Sequence, residues 1–228
     1  MNKFDLVFIS PHFDDVIYSC SQLIRNKCID HKILVVTLFT DYNETSDNMF
    51  LNGDIRNKED KEAMKSIGIV SLNLNFKELM IRNDFKDYTL FNQIIEPIKT
   101  LFYIKGETNL IENINKKLQL IIDQCQCKEL YFPGAIGFHP DHIIAYRSCY
   151  NLKNVKLYIY EDFPYCLNKI YRNIRLPFIK TDDTISIKVD PSKKKEDIMK
   201  YKSQYDLIFE NNDLDSLLSD FYEIYYKI

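Results

Sequence analysis

Tryptophan is absent from the 228 residues, and histidine occurs only four times. Without Trp the best platform for stacking a sugar ring is missing, so the sixteen tyrosines and fifteen phenylalanines read as core and interface aromatics. No apolar run approaches the roughly 20 residues that cross a bilayer. The first strand-like stretch, Phe4 to Ser10, carries Asp5 and ends in a polar loop, so it is read as neither anchor nor signal peptide. Positive charge is not in excess: 30 Lys and Arg against 33 Asp and Glu leave a net charge of -3. Such a chain offers no broad field to a phosphate backbone, and nucleic acid is not an expected partner. Cys20, Cys28, Cys125, Cys127, Cys149 and Cys166 are scattered, and the C-x-C at 125 to 127 has no second pair to complete a tetrahedral site. Reduced thiols in a cytoplasmic protein are the expectation. Repeats, low-complexity tracts and Pro/Gly-rich linkers are also missing, so residues 1–228 are read as one domain.

What is present is an alternation of strand and helix signals. Phe4 to Ile9 is a short apolar run broken by Ser10 and Pro11, followed by a helical pattern through Val16, Ile17, Leu23 and Ile24. Lys32 to Phe39 has the continuous apolar character of a parallel strand covered on both faces, and it leads into the loop Thr40 to Asn48. Gly53 to Ile67 reads as a helix ended by Gly68, and Ile69 to Phe76 as a strand. Glu107 to Cys125 is an expected helix, Glu129 to Phe132 a strand, His142 to Leu152 a helix and Val155 to Tyr160 a strand. Asp190 and Pro191 place an N-cap and first-turn proline before a helix towards Tyr205, with a last helix from Leu214 to Tyr226. Asn83 to Gly106 yields no clear element. The rhythm predicts an α/β fold with a mainly parallel sheet and right-handed crossovers.

In such sheets ligands bind beyond the carboxyl ends of the strands. Two strand-end loops, Ser10 to Asp15 and Gly134 to His142, hold three of the four histidines. Asp14 or Asp15 could simply cap a helix, but two histidines around Pro140-Asp141 need a further reason. A divalent metal supplies one. His12, Asp15 and His142 give two imidazoles and a carboxylate, the ligand count of a catalytic zinc site with its fourth position open. Asp14 is then suited to accept a proton from the nucleophile. His139, held protonated by Asp141, would share the charge on the carbonyl oxygen. The same ligands also suit Fe2+, although two-histidine, one-carboxylate oxygenases favour β-barrels over this α/β rhythm.

At these residues the sequence resembles the LmbE-like or PIG-L family of zinc-dependent N-deacetylases. Pro11-His12-Phe13-Asp14-Asp15 and His139-Pro140-Asp141-His142 match its P-H-x-D-D and H-x-D-H signatures. Arg56, Glu59, Asp60, Ala63 and Gly68 are similar to its R-x-x-E-D, alanine and L-G pattern, and Tyr201 to Gln204 to its Y-x-S-Q. The segment Tyr160 to Tyr165 resembles the Y-E-D-x-P-Y of one bacterial branch. The resemblance implies a Rossmann-like three-layer fold, zinc on His12, Asp15 and His142, Asp14 as general base, and His139 with Asp141 at the oxyanion. It also implies a small-molecule N-acylated substrate, most often an N-acetyl amino sugar or a natural-product intermediate. Gly137 departs from the pattern, because sugar deacetylases commonly carry a tyrosine two residues before the first histidine of the second motif.

Arg56, Asp41, Arg82, Glu161 and Asp162 are candidate substrate contacts. Each has a structural alternative, such as an Arg56 to Glu59 ion pair or a turn held by Asp41. His31 reads as structural. Phe221, Tyr222, Tyr225 and Tyr226 suit either a homo-oligomer contact or packing on their own sheet. Two rival functions stay open, a deacylase of N-acyl amino acids, peptides or polyamines, and a non-catalytic binding protein on the same fold.

Overall fold

The computed structural model describes residues 2–42, 52–79, 81–82, 104–209 and 213–228. Its elements run β1 (Leu6–Ser10), α1 (Asp15–Lys27), β2 (Ile33–Asp41), α2 (Gly53–Ile67), β3 (Val70–Lys77), a 3-10 turn (Ile104–Glu107) and α3 (Thr108–Cys125). They continue with β4 (Glu129–Pro133), α4 (Pro140–Cys149), β5 (Lys156–Tyr160), α5 (Lys169–Arg175), β6 (Asp183–Lys188), α6 (Pro191–Ile198), α7 (Lys202–Phe209), α8 (Leu214–Leu218) and β7 (Tyr222–Lys227). The sheet order is β3-β2-β1-β4-β5-β7-β6, with β1 to β5 parallel and β7 antiparallel to both neighbours. This is the expected three-layer α/β architecture with an antiparallel edge.

Both faces are covered, as the apolar runs require. Along β1, Val7 and Ile9 enter the core shared with α3 and α4. Leu6 and Phe8 enter the core shared with α1, α2 and the C-terminal helices, as the period of two dictates. The first connections leave β1 towards one side of the sheet, and the chain returns to add β4 on the other side of β1. The order reverses between β1 and β4, so the loops after these two strands flank the crevice where such sheets bind ligands.

The C-terminal third corrects the sequence expectation. The helix expected to run to Tyr205 is two helices, because Tyr201 turns into the core and donates its hydroxyl to Asp60 at 2.9 Å. The helix expected over Leu214 to Tyr226 stops at Leu218, and Tyr222–Lys227 forms β7 between β5 and β6. Tyr225 and Tyr226 are buried on opposite faces of that strand, so they pack on their own sheet, whereas Tyr222 is exposed. The expectation that Asn83 to Gly106 lacks a clear element falls mostly outside the described residues, as does most of the loop from Thr40 to Asn48. No helix among the described residues is long and apolar enough to cross a membrane. The six cysteines are free thiols.

Candidate metal centre and active site

Two turns build the site. After β1, Ser10 Oγ donates to the His12 carbonyl and accepts the Val16 N–H at 3.1 Å, so a serine caps the start of α1. Asp14 occupies the N-cap position without capping through its side chain. It faces Arg56 Nη2 at 3.2 Å instead. Asp15 accepts the His12 backbone N–H at 2.8 Å, which folds the loop so that imidazole and carboxylate face each other.

After β4, Ala135, Gly137 and Phe138 take positive φ before His139 caps α4. Gly137, at φ +96°, is required twice over, since a Cβ there would lie 2.5 Å from Cδ1 of Tyr165. The Tyr165 ring in turn stands edge-on to His142, centroids 5.7 Å apart. Asp162 Oδ2 accepts the Ile136 N–H at 2.9 Å, and Arg175 Nε donates to the Gly134 carbonyl at 2.7 Å. The turn is therefore held from the β5 side, and His142 comes to face the first loop one helical turn into α4.

His12, Asp15 and His142 are all buried and place one ligand atom each within 4.8 Å of one another. The two Asp15 oxygens lie 3.2 Å from His12 Nδ1 and 3.3 Å from His142 Nε2. Bonds of about 2.0 to 2.2 Å at tetrahedral angles separate ligand atoms by roughly 3.3 to 3.6 Å, so the spacing fits a divalent cation such as zinc. The far nitrogens are held by carboxylates, His12 Nε2 by Asp141 at 3.1 Å and His142 Nδ1 by Asp162 at 2.7 Å. Imidazoles backed by carboxylates are the usual support of histidine ligands.

The electrostatics point the same way. Burial opposes charge on His12, but Asp141 and Asp15 outweigh it and lift the imidazole to about 9. Burial opposes charge on His142 as well, yet Asp15 and Asp162 hold it well above the usual histidine range. Three buried carboxylates around two imidazoles thus make a pocket that attracts positive charge. Asp14 differs from its neighbour: burial and the Asp15 charge push its carboxyl up, against Arg56 and His12.

His139 corrects one expectation. Its Nδ1 accepts the Asp141 backbone N–H at 3.2 Å, while the Asp141 carboxylate binds His12, the Leu79 N–H at 3.1 Å and Arg82 Nη2 at 2.6 Å. Asp141 therefore does not hold His139 protonated. Burial and the neighbouring His12 charge push His139 down to about 3, against the pull of Asp141 and Asp15, and with Nδ1 accepting an N–H the nitrogen left to carry a proton is Nε2.

The other candidates separate into groups. Arg56 is buried against Asp14, with its guanidinium 4.5 Å from the Tyr42 ring centroid. The alternative of an Arg56 to Glu59 ion pair is not seen among the described residues, where Glu59 accepts the Ser203 N–H at 2.9 Å and the Ser203 hydroxyl at 2.6 Å. Arg82 is a strut, bound to Asp141 and, 3.3 Å away, to Glu107. Glu161 and Asp162 end the same strand with different partners: Asp162 backs His142, whereas Glu161 is gripped bidentately by Arg172 at 2.9 to 3.0 Å and by the Tyr226 hydroxyl. Asp41 lines a polar cleft of about 330 Å³ with Thr40, Tyr42, Gly53, Asp54, Asn57 and Asn75.

Sequence reasoning passed over Glu78 and Tyr42. Glu78 is a buried carboxyl directly after β3, raised by burial and acted on by His12, Asp141, Arg56 and Arg82. The strand-end rule would have found it, since it follows the last residue of β3.

The family model described as GlcNAc-PI de-N-acetylase, PIG-L, matches residues 7–152. No curated protein matches the chain in sequence. Among solved structures, the zinc-inhibited form of the teicoplanin deacetylase Orf2 superposes with a TM-score of 0.76 at 20% identity, covering 98% of this chain and 97% of that one. The N,N'-diacetylchitobiose deacetylase of Pyrococcus horikoshii gives a TM-score of 0.55 at 17% identity over 91% and 73% of the two chains. The 4-carboxy-2-hydroxymuconate hydratase GalB of Pseudomonas putida gives 0.57 at 13% over 100% and 96%. At these identities the likeness is one of fold, and the fold carries more than one chemistry.

Proposed function

Because this chain belongs to the PIG-L family, we propose that it is a metal-dependent N-deacetylase that releases a primary amine from a small N-acylated substrate, an N-acetyl amino sugar or a related natural-product intermediate. The observation that carries this reading is the group His12, Asp15 and His142 at the β1/β4 switch point, each imidazole backed by a carboxylate. Asp14 and His139 lie beside it and supply what amide cleavage also needs. A divalent cation held by the three residues would supply Lewis acidity, acidifying a water and polarising the acyl carbonyl.

Asp14, with its carboxyl raised by burial and kept in place by Arg56, accepts a proton from the attacking water and returns it to the departing nitrogen. The Nε2–H of neutral His139 donates to the carbonyl oxygen as negative charge grows there. Asp141 and Asp162 hold the two ligand imidazoles, and Arg82 holds Asp141. The neighbours named teicoplanin deacetylase and N,N'-diacetylchitobiose deacetylase support an amino-sugar or natural-product substrate.

The test is primary-amine release from a panel of N-acetylglucosamine glycosides, N-acetyl amino acids and N-acetyl polyamines. Protein loaded with one equivalent of zinc is compared with protein loaded with Fe2+. Release from a glycoside should fall by about 10²- to 10⁴-fold in Asp14→Asn at unchanged metal content, and His142→Ala should lose the metal itself. Release confined to the amino acids or polyamines would replace the substrate class. A fully active Asp14→Asn would remove Asp14 from the base role.

A further inference from the structure

Tyr42 follows β2 and is 5% exposed, yet its hydroxyl has no hydrogen-bond partner among the described residues. A buried hydroxyl without a partner is costly, and native proteins keep few of them. Its ring is fixed from two sides. Phe13, between His12 and Asp14 in the chain, stacks on it with centroids 5.8 Å apart, and the Arg56 guanidinium that binds Asp14 lies 4.5 Å from its centroid. Gly53 at the start of α2 permits the approach, since a Cβ there would lie 2.7 Å from Tyr42 Cβ. The charged groups that act on the phenol are Arg56, Glu78, Asp14 and Asp141, all of the candidate site.

The phenol is thus packed between Phe13, which follows the candidate ligand His12, and the guanidinium that holds Asp14, which leaves a donor without a partner among the described residues next to the candidate site. We propose that the Tyr42 hydroxyl binds substrate, donating a hydrogen bond to an oxygen on a carbon adjacent to the acylamino carbon. In a 2-acylamino sugar that oxygen is O1 or O3. This assignment rests on the amino-sugar reading above, and it makes Tyr42 a residue that selects a hydroxylated carrier over an unsubstituted amine.

Tyr42→Phe keeps the ring, its stack on Phe13 and its contact with Arg56, and removes only the hydroxyl. With zinc-loaded protein, kcat/KM on an N-acetylglucosamine glycoside should fall about tenfold, the worth of one buried hydrogen bond. The penalty should vanish on whichever of the 1-deoxy and 3-deoxy analogues lacks the accepting oxygen. The melting temperature should stay level or rise, since a group without a protein partner has been removed. Unchanged kcat/KM on the glycoside, or an equal loss on the glycoside and both deoxy analogues, overturns the assignment and leaves the deacetylase reading in place. A lowered melting temperature with unchanged turnover marks a hydroxyl bonded only to structural water and also overturns it. No amine release from any glycoside by the wild type overturns the amino-sugar reading and this inference with it.

Discussion

Asp60 lies buried in α2, with one carboxylate oxygen taking the Tyr201 hydroxyl at 2.9 Å and the other unpartnered among the described residues. Burial lifts it to about 7, against the help of Tyr201, from an ordinary value of 3.8. The folded chain thus binds a proton between about pH 4 and 7 that the unfolded chain has released. Asp60 therefore favours the folded state most at the acid end of that window. Its contribution declines as pH rises through 7 and is level above it, by a few kcal/mol in all. Denaturant midpoints measured from pH 4.5 to 8 should show this decline, and Asp60→Asn should flatten it. An unchanged slope in the variant would assign the dependence elsewhere. The sequence could place Arg56, Glu59 and Asp60 on one helix, but not their separate partners. Asp14 approaches from the turn before α1, Tyr201 from the link into α7 and Ser203 from its first turn, and chain spacing carries no record of side-chain direction.

At the scale of elements, one carboxylate joins the edge of the sheet to the helices. Glu223 of β7 binds Lys194 Nζ of α6 at 2.6 Å and accepts the Gln22 and Leu23 N–H groups of α1, each at 2.9 Å. Removing one partner of a buried pair typically destabilises by roughly 3 to 5 kcal/mol, because the other charge is left uncompensated. Lys194→Met should lower the urea midpoint accordingly, and adding Glu223→Gln should recover part of the loss. A negligible change in the single variant would mean that Glu223 is satisfied by the α1 amides alone. This strand was also the least legible element. Leu214, Leu217, Leu218, Phe221, Tyr222 and Tyr225 recur at helical spacing, so the stretch reads as one helix although the chain turns after Leu218. The parallel strands were readable because their apolar runs are continuous, as coverage on both faces demands.

For the molecule as a whole, the candidate centre ties together the carboxyl ends of strands far apart in sequence. His12 and Asp15 follow β1, Asp141 and His142 follow β4, and Asp162 follows β5. A cation bound there and not in the unfolded chain should stabilise the fold by about 2.7 kcal/mol at a hundredfold excess over its Kd. Chelator should lower the melting temperature and zinc should restore it. Asp162→Asn should weaken the zinc response by 10- to 100-fold in affinity. A melting temperature indifferent to chelator and zinc would count against a resident ion. The scarcity of histidine made the centre legible in the sequence, since three of the four fall at two strand ends. Which carboxylate backs which imidazole emerges only when the strands align. The interlock of Gly137 with Tyr165 has a further consequence. Between them the two positions have room for a single aromatic side chain, so they cannot vary independently. Bulk gained at one must be given up at the other, and a chain with side chains at both, or at neither, would displace or hollow out the flank of His142.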